Sequence, residues 1–254
     1  MFEFFGFEFS YWQWGALALC GVLVGVSKTG LPGISIVTVG LMANLFEGKS
    51  STGVLLPMLI FADVFAILYY RRHAEWAHIL RLLPWALAGI GSGFFAMRVV
   101  DDEYFGVVIG SIVLVMLGVK FFQDWRNLKK GSVTVPTHWG FGAMLGFAAG
   151  VTTMMANAAG PVMTIYFLAM GFDKKKFVGT AAWFFFMVNW IKVPLSGKLD
   201  LITADTLRLD AMVFPFILLG VVVGIVFLKH VKQKWFNRAV MVIAVIAAVK
   251  LLLS

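Results

Sequence analysis

Six apolar runs in this sequence are each close to the length that a helix needs to cross a membrane. They cover residues 52–70, 80–98, 104–122, 177–196, 209–228 and 236–253. A helix of ~20 mainly apolar residues spans the hydrocarbon core of a bilayer. The chain is 61% hydrophobic and only 13% charged, which leaves too few polar side chains to cover a water-soluble domain. The sequence therefore predicts an all-α integral membrane protein embedded in a lipid bilayer, and we expect no nucleic-acid partner.

Four shorter apolar runs predict two helical hairpins. They flank two segments rich in glycine, alanine and polar residues: runs 12–26 and 34–46 flank SKTGLPG (27–33), and runs 139–151 and 161–171 flank TTMMANAAG (152–160). We name these two segments the first tip and the second tip. Each run is shorter than the ~20 residues of a crossing helix. We therefore predict re-entrant hairpins over residues 12–46 and 139–171, each of which enters the membrane and returns to its own side.

Lysine and arginine positions predict the orientation of the chain. With the N-terminus outside, 14 of the 21 Lys and Arg residues fall in loops on the cytoplasmic side, which is the bias expected of cytoplasmic loops. Residues 123–138 then form a cytoplasmic linker, and the C-terminus also lies outside. If each hairpin were a single broken span instead, basic and acidic loops would share a side. The charge pattern thus favours the hairpins.

The two halves of the sequence share unusual residues in the same order. The Pro-x4-Gly-x3-Gly spacing of LLPWALAGIGSGF recurs 131 residues later in VFPFILLGVVVGI. Asp63 corresponds to Asn189 at an offset of 126. Such a collinear series predicts two repeats, 1–122 and 139–254. Each repeat holds one hairpin and three crossings, so the second is inverted relative to the first, an architecture common among secondary transporters. The repeated glycines favour close helix packing over ligand contacts.

Both tips have the composition expected of an anion site. Pro32 and Pro161 each follow a tip where a new helix is expected to begin, because proline suits the first helical turn. The N-terminus of a helix presents free N–H groups and a partial positive charge, which attract anions. A lysine within a membrane segment, such as Lys28, is usually functional or paired. The predicted substrate-binding residues of the tips are Lys28, Thr29, Gly30, Pro32, Thr152, Thr153, Asn157, Gly160 and Pro161.

Three polar residues inside the long spans complete the candidate site. Lys192 and Asn189 are three residues apart, on one helical face, and we predict that both contact the substrate. Lys192 could instead extend its stem to the membrane surface. Asp63 is either a proton-coupling carboxylate, the counter-ion of Lys28 or Lys192, or a structural hydrogen-bonding group. The sequence alone leaves these roles open.

Signatures of catalysis are missing from the sequence. It has no GxSxG, HExxH or Walker motif, and its four histidines fall at predicted cytoplasmic ends of the spans. We therefore expect no catalytic residues, no metal site and no cofactor.

The chain resembles the TauE/SafE family of sulfite and organosulfonate exporters along nearly its whole length. The motifs that carry the resemblance are GVSKTGLPG, STGVLLPMLIFADVFAILYYRRHAEW, GVTTMMANAAGPVMTIYFLAMG and KKKFVGTAAWFFFMVNWIKVPLSG. The resemblance implies a multi-pass protein of the bacterial inner (plasma) membrane that exports sulfite, sulfoacetate or a related organic or inorganic sulfur anion. Two lysines would suit a dianion. An anion channel and a non-transporting assembly or sensing protein remain the alternatives, and the sequence does not define an oligomeric state.

Overall fold

The computed structural model describes residues 2–4, 7–46, 49–99 and 139–253, and this part of the chain is almost entirely helical. A short antiparallel hairpin at the start pairs Phe2–Phe4 with Phe7–Phe9. The helices are α1 (Tyr11–Thr29), α2 (Ser35–Leu45), α3 (Ser50–Tyr70), α4 (Trp76–Val99), α5 (Trp139–Ala156), α6 (Ala159–Ala169), α7 (Lys174–Gly197), α8 (Ala204–His230) and α9 (Gln233–Leu253). The predicted span 104–122 and linker 123–138 lie outside the described residues.

Length and hydropathy support membrane crossing for several of these helices. Among the described residues, five segments are long and apolar enough to span: α3 with the turn that follows it, α4, α5, α7 and α8. The all-α membrane fold predicted from the sequence is therefore confirmed. The boundaries of α5 differ from the expectation, because this helix continues to Ala156 and has 18 residues. No proline or glycine interrupts it after Gly150, so most of the second tip is helical.

Glycines determine which helices lie closest together. A Cβ added to Gly25 of α1 would overlap the backbone of α8 at Ile217 and Val221, and one added to Gly89 of α4 would overlap the backbone of α5 at Phe147. Small residues allow such close backbone approach between membrane helices. The predicted role of the repeated glycines in close packing is confirmed. Each hairpin thus packs its first helix against a helix of the other half of the chain.

Helix directions follow from the same contacts. Gly21 lies against Val213, and Gly30 against Gly224, so α1 and α8 run parallel. Gly53 faces Leu201, just before α8, and Phe61 stacks on Phe214 in α8. Thus α3 also runs parallel to α8 and to α1. The chain must therefore reverse between α1 and α3, and α2 is the segment that makes this return.

The tips turn at one left-handed residue each. In the first tip this residue is Gly33, with φ 103°, and in the second it is Asn157, with φ 54°. Glycine and asparagine are the residues that adopt this conformation most readily. Lys28 lies in the last turn of α1 and not in the loop that the sequence predicted. Pro32 also differs from the expectation, since α2 begins three residues later at Ser35, whereas Pro161 is in the first turn of α6 as predicted.

Candidate functional site

A cavity lies where the two tips meet between α3, α6 and α7. Its volume is about 40 Å³, against the roughly 10–15 Å³ that one water molecule needs. It therefore has room for a few water-sized groups. The sequence-predicted residues that line it are Lys28, Pro32, Thr153, Asn157, Gly160 and Asn189. Both halves of the chain contribute to one site.

Lys28 forms a buried ion pair with Asp63. Its Nζ lies 2.8 Å from Asp63 Oδ1 and 3.0 Å from Oδ2. The Asp63 side chain is fully buried, whereas that of Lys28 is 10% exposed. Asn189 Nδ2 also donates to Asp63 Oδ2 at 2.9 Å. Burial of a charge is tolerated when it is paired and hydrogen-bonded, so these contacts hold α1, α3 and α7 together around the cavity.

Lys192 is buried beside the second tip. Its side chain is among the largest fully enclosed ones in the described part of the chain, which excludes the alternative that it extends to the membrane surface. Its Nζ donates to Asn157 Oδ1 and, at 3.2 Å, to Thr153 Oγ1. Asn157 in turn donates to the carbonyl oxygen of Thr52 at 2.9 Å. The hydrogen-bond partners of this ammonium group are therefore neutral, in contrast to those of Lys28.

The N-terminal ends of α2 and α6 approach each other at the cavity. Ser35 is the first residue of α2, and Gly160 the second of α6. A Cβ added to Gly160 would lie 2.9 Å from Ser35 Oγ. The first-turn N–H groups of a helix have no partner within the helix, and their partial positive charge adds to that of the lysines.

Five predicted residues contribute to the walls behind the cavity and do not line it. These are Thr29, Gly30, Thr152, Pro161 and Lys192. The hydroxyl of Thr29 bonds backbone carbonyls of α1 and α8 at 2.9 and 3.0 Å, and that of Thr152 bonds the carbonyl of Ala148 at 2.8 Å. Gly30 packs against Gly224. These residues shape the backbone of the tips, whereas Lys192 acts on the site through the side chains that it contacts.

Sequence reasoning missed several polar and aromatic residues of the cavity and one buried acid. Ser35 lines the cavity at the start of α2, and the ring of Phe185 lies 4.5 Å from Lys28 Nζ. The sequence could have indicated Ser35, because it lies three residues after Pro32, where a new helix was expected to begin. Asp210 is fully buried in α8, although the predicted boundary of 209–228 left it at the edge of a span. Its carboxylate has no hydrogen-bond partner within the described residues.

Comparison with known proteins gives one match. The family model described as "Sulfite exporter TauE/SafE" matches residues 17–251, nearly the whole chain. No curated protein and no solved structure matches the chain. The matched range includes both tips, the Lys28–Asp63 ion pair and the buried Lys192. With its apolar helices and a family model that covers both halves, the chain belongs to the TauE/SafE sulfite exporter family of multi-pass membrane transporters.

Proposed function

We propose that the protein is a secondary transporter that exports a small sulfur-containing anion, such as sulfite, sulfoacetate or a related organosulfonate, by alternating access. The observation that carries the proposal is the cavity at which both helix N-termini, Lys28 and two asparagines converge. Backbone N–H groups, amide groups and an ammonium group are the donors that an oxyanion requires. The substrate would bind between the tips, in contact with Lys28, Asn157 and Asn189.

The charges around the cavity favour an anion. Asp63 neutralises Lys28 through the ion pair, whereas Lys192 bonds only neutral side chains among the described residues. The group of three ionisable residues then has a net charge of +1 when all are ionised. An uncompensated buried charge is unfavourable, so an anion that enters the cavity stabilises the cluster. Asp63 fits the role of counter-ion to Lys28 among the alternatives that the sequence left open.

Two features support the inverted repeats. First, α1 of the first half packs on α8 of the second half, and α5 of the second half packs on α4 of the first. In each half, the first helix of the hairpin therefore packs on a helix of the other half. Second, the corresponding residues Asp63 and Asn189 contact each other at 2.9 Å, as expected for residues near a pseudo-twofold axis. In inverted-repeat transporters the substrate site lies at such an interface between the repeats.

The position of the cavity relates to the proposed direction of transport. It extends along α7 from Asn189 to Phe177, near the end at which Lys174–Lys176 lie. The charge bias of the sequence places that end in the cytoplasm. Export requires the anion to reach the cavity from that side. A membrane potential that is negative inside favours export of an anion by about 2.3 kcal/mol per charge per 100 mV.

Substitution of Lys192 tests the anion site. We expect sulfite or sulfoacetate to raise the melting temperature of the detergent-purified protein, because a ligand at 100 times its Kd stabilises by about 2.7 kcal/mol. Lys192→Met should abolish this shift, since it removes the uncompensated charge while keeping a side chain of similar length. The matched control is Lys198→Met, which alters an exposed lysine. An equal shift in both variants would contradict the proposed role of Lys192.

Counterflow distinguishes a transporter from an anion channel. In proteoliposomes loaded with unlabelled substrate, we expect uptake of labelled substrate to saturate and to be stimulated by the internal pool. A channel lined by the same two helix ends would give flux that follows the gradient, with no such stimulation. A sensing or assembly protein would give no flux, so each alternative has a distinct outcome.

Proton coupling would depend on Asp63. The titratable groups that face this carboxylate within the described residues are Lys28 from α1 and Lys192 from α7. A proton on Asp63 would release Lys28 to bind the anion. Retained binding with loss of the pH dependence of transport in Asp63→Asn, measured as initial flux between pH 5 and pH 8, would support this coupling. A pH profile equal to that of the unaltered protein would leave Asp63 as a counter-ion without a coupling role.

A further inference from the structure

Asp210 places a fully buried carboxyl group on α8, at the face that packs against α1 and α3. The residues beside it on this face, Leu209 and Val213, belong to a buried apolar cluster with residues of α1 and α3. A Cβ added to Gly21 of α1 would lie 2.6 Å from Val213 Cγ1, so the helices approach closely at this level. The carboxyl group is therefore enclosed by helix packing and shielded from water.

Within the described residues, no group compensates a negative charge at this position. Neither oxygen of Asp210 has a hydrogen-bond partner there. The hydroxyl of Thr206, one turn earlier in α8, accepts from the N–H of Thr203 and donates to its carbonyl oxygen. Asp210 is the seventh residue of α8, beyond the first turn in which the partial positive charge of a helix N-terminus acts. An isolated buried carboxylate is strongly unfavourable, so such a group takes up a proton instead.

The titratable groups of the neighbouring helices do not reach Asp210 either. On α8 itself, Asp205 and Arg208 pair with each other at the surface. The described titratable groups of the two packed helices, α1 and α3, are Tyr11, Cys20, Lys28, Asp63, Tyr69 and Tyr70. None of them forms a hydrogen bond with Asp210. The neutral form of the carboxyl group is thus the one that the packed helices accommodate.

The position of Asp210 links it to movement between the two halves of the chain. In inverted-repeat transporters one repeat moves against the other, and α1 and α8 belong to different halves. Asp210 does not line the cavity. Because Phe214 of α8 stacks on Phe61 of α3, Asp210 is about 9 Å along the helix axes from the level of Asp63, at about 1.5 Å per residue. A proton on Asp210 would therefore act on helix packing and not on the substrate.

We infer that Asp210 is a proton-binding site outside the substrate cavity, which holds a proton while α1, α3 and α8 are packed and releases it when they separate. On separation, water reaches the carboxyl group, the O–H bond breaks and the proton passes to water, which leaves a hydrated carboxylate. Repacking reverses these steps. The release rests on the proposed alternating access, whereas protonation of the packed state does not. Coupling through Asp63 would be a separate event, because it would act inside the cavity.

Infrared spectroscopy of the purified protein at neutral pH tests whether Asp210 holds a proton. With isotope-labelled aspartate, we expect the carbonyl stretch of a protonated aspartic acid in the unaltered protein and its loss in Asp210→Asn. The matched control is Asp200→Asn, because Asp200 is exposed and its φ of 55° suits asparagine. Asp63→Asn should also retain the Asp210 band, since Lys28 holds Asp63 in an ion pair. Identical spectra of Asp210→Asn and the unaltered protein would overturn the inference.

The pH dependence of unfolding gives a second measurement. The unfolded chain loses the Asp210 proton above about pH 4, whereas the folded protein keeps it. Relative to Asp210→Asn, the ratio of folded to unfolded protein should therefore fall about tenfold for each pH unit that the pH rises. Parallel pH dependence of the two proteins would contradict the inference. An amide has the shape of a neutral carboxyl group, so the variant should fold; Asp210→Leu, which suits apolar surroundings, replaces it otherwise.

Flux in proteoliposomes tests the release of the proton. Asp210→Asn cannot release one, so we expect it to lose most of the sulfite or sulfoacetate flux and its pH dependence, while Asp200→Asn retains both. The melting shift produced by the substrate should remain, because Asp210 lies outside the cavity. A normal rate and pH profile in Asp210→Asn would overturn the release step. Absence of binding and flux in the unaltered protein would instead contradict the proposed function, and the infrared band would still report the proton site.

Discussion

Lys28→Met is expected to destabilise the protein by about 3–5 kcal/mol, because it leaves the Asp63 carboxylate buried without its counter-ion. Asp63 is fully buried, and Asn189 supplies its remaining hydrogen bond. Adding Asp63→Asn to Lys28→Met should recover most of the lost stability, since the double variant buries no unpaired charge. Thermal unfolding in detergent measures both effects. Anion binding should not recover, because the ammonium group at the cavity is still absent.

The surface ion pair between Arg208 and Asp205 provides the control for this experiment. Its atoms lie 3.0 Å apart, but the two side chains are 60% and 51% exposed. Exposed pairs contribute at most about 1 kcal/mol, so Arg208→Met should have little effect on the melting temperature. A comparable loss in Lys28→Met and Arg208→Met, or no recovery in the double variant, would contradict the buried ion pair.

Gly25→Ala is expected to have the second large effect. A Cβ at this position would lie 2.5 Å from the backbone nitrogen of Val221 and 2.7 Å from the carbonyl carbon of Gly220. The obstacle is backbone, which a rotamer change cannot relieve. Overpacking typically costs 1–3 kcal/mol, and more where the surroundings cannot adjust. We therefore expect a loss of about 3 kcal/mol or more, measured by thermal unfolding and by the yield of monodisperse protein.

The same helix offers a matched control for this substitution. Gly15 is also in α1, and a Cβ added there would meet nothing within 4 Å. Because alanine favours a helix over glycine by about 0.5–1 kcal/mol, Gly15→Ala should leave stability unchanged or raise it slightly. Equal behaviour of the two variants would show that α1 and α8 do not approach as closely as described. Gly89→Ala and Gly91→Ala form the corresponding pair in α4.

The sequence predicted the helices well because apolar length alone decides what can cross a bilayer. The contacts between helices could not be predicted from apolar length. Asp63 had three possible roles, and Lys28 and Lys192 were equal candidates as its partner until the packing of α1 against α3 brought Lys28 to 2.8 Å. Lys28 was expected in a loop because the apolar run 12–26 ends before it. The helix continues through Thr29, whose hydroxyl returns to the carbonyl oxygen of Gly25 at 2.9 Å.

The tips show a second limit of prediction from the sequence, which concerns the direction of individual side chains. Their glycine, proline and asparagine residues correctly indicated a chain reversal, since these residue types favour turns. They did not indicate which polar side chains would face the cavity. Thr152 and Thr153 are adjacent and chemically identical, yet one bonds its own helix and the other accepts from Lys192. Helical rotation separates them by about 100°, and only the packing of α5 decides which one faces the cavity.

The first helix of each hairpin packs on a helix of the other half, α1 on α8 and α5 on α4. This arrangement has a consequence for the evolutionary origin of the chain. A half-length ancestor with one hairpin would have lacked the surface on which its own first helix rests, because that surface belongs to the other half. Under the proposed inverted repeats, a second copy inserted in the opposite orientation would supply that surface. The ancestor would then have functioned as a homodimer of two opposite orientations, and we expect separately expressed halves to fold only when both are present.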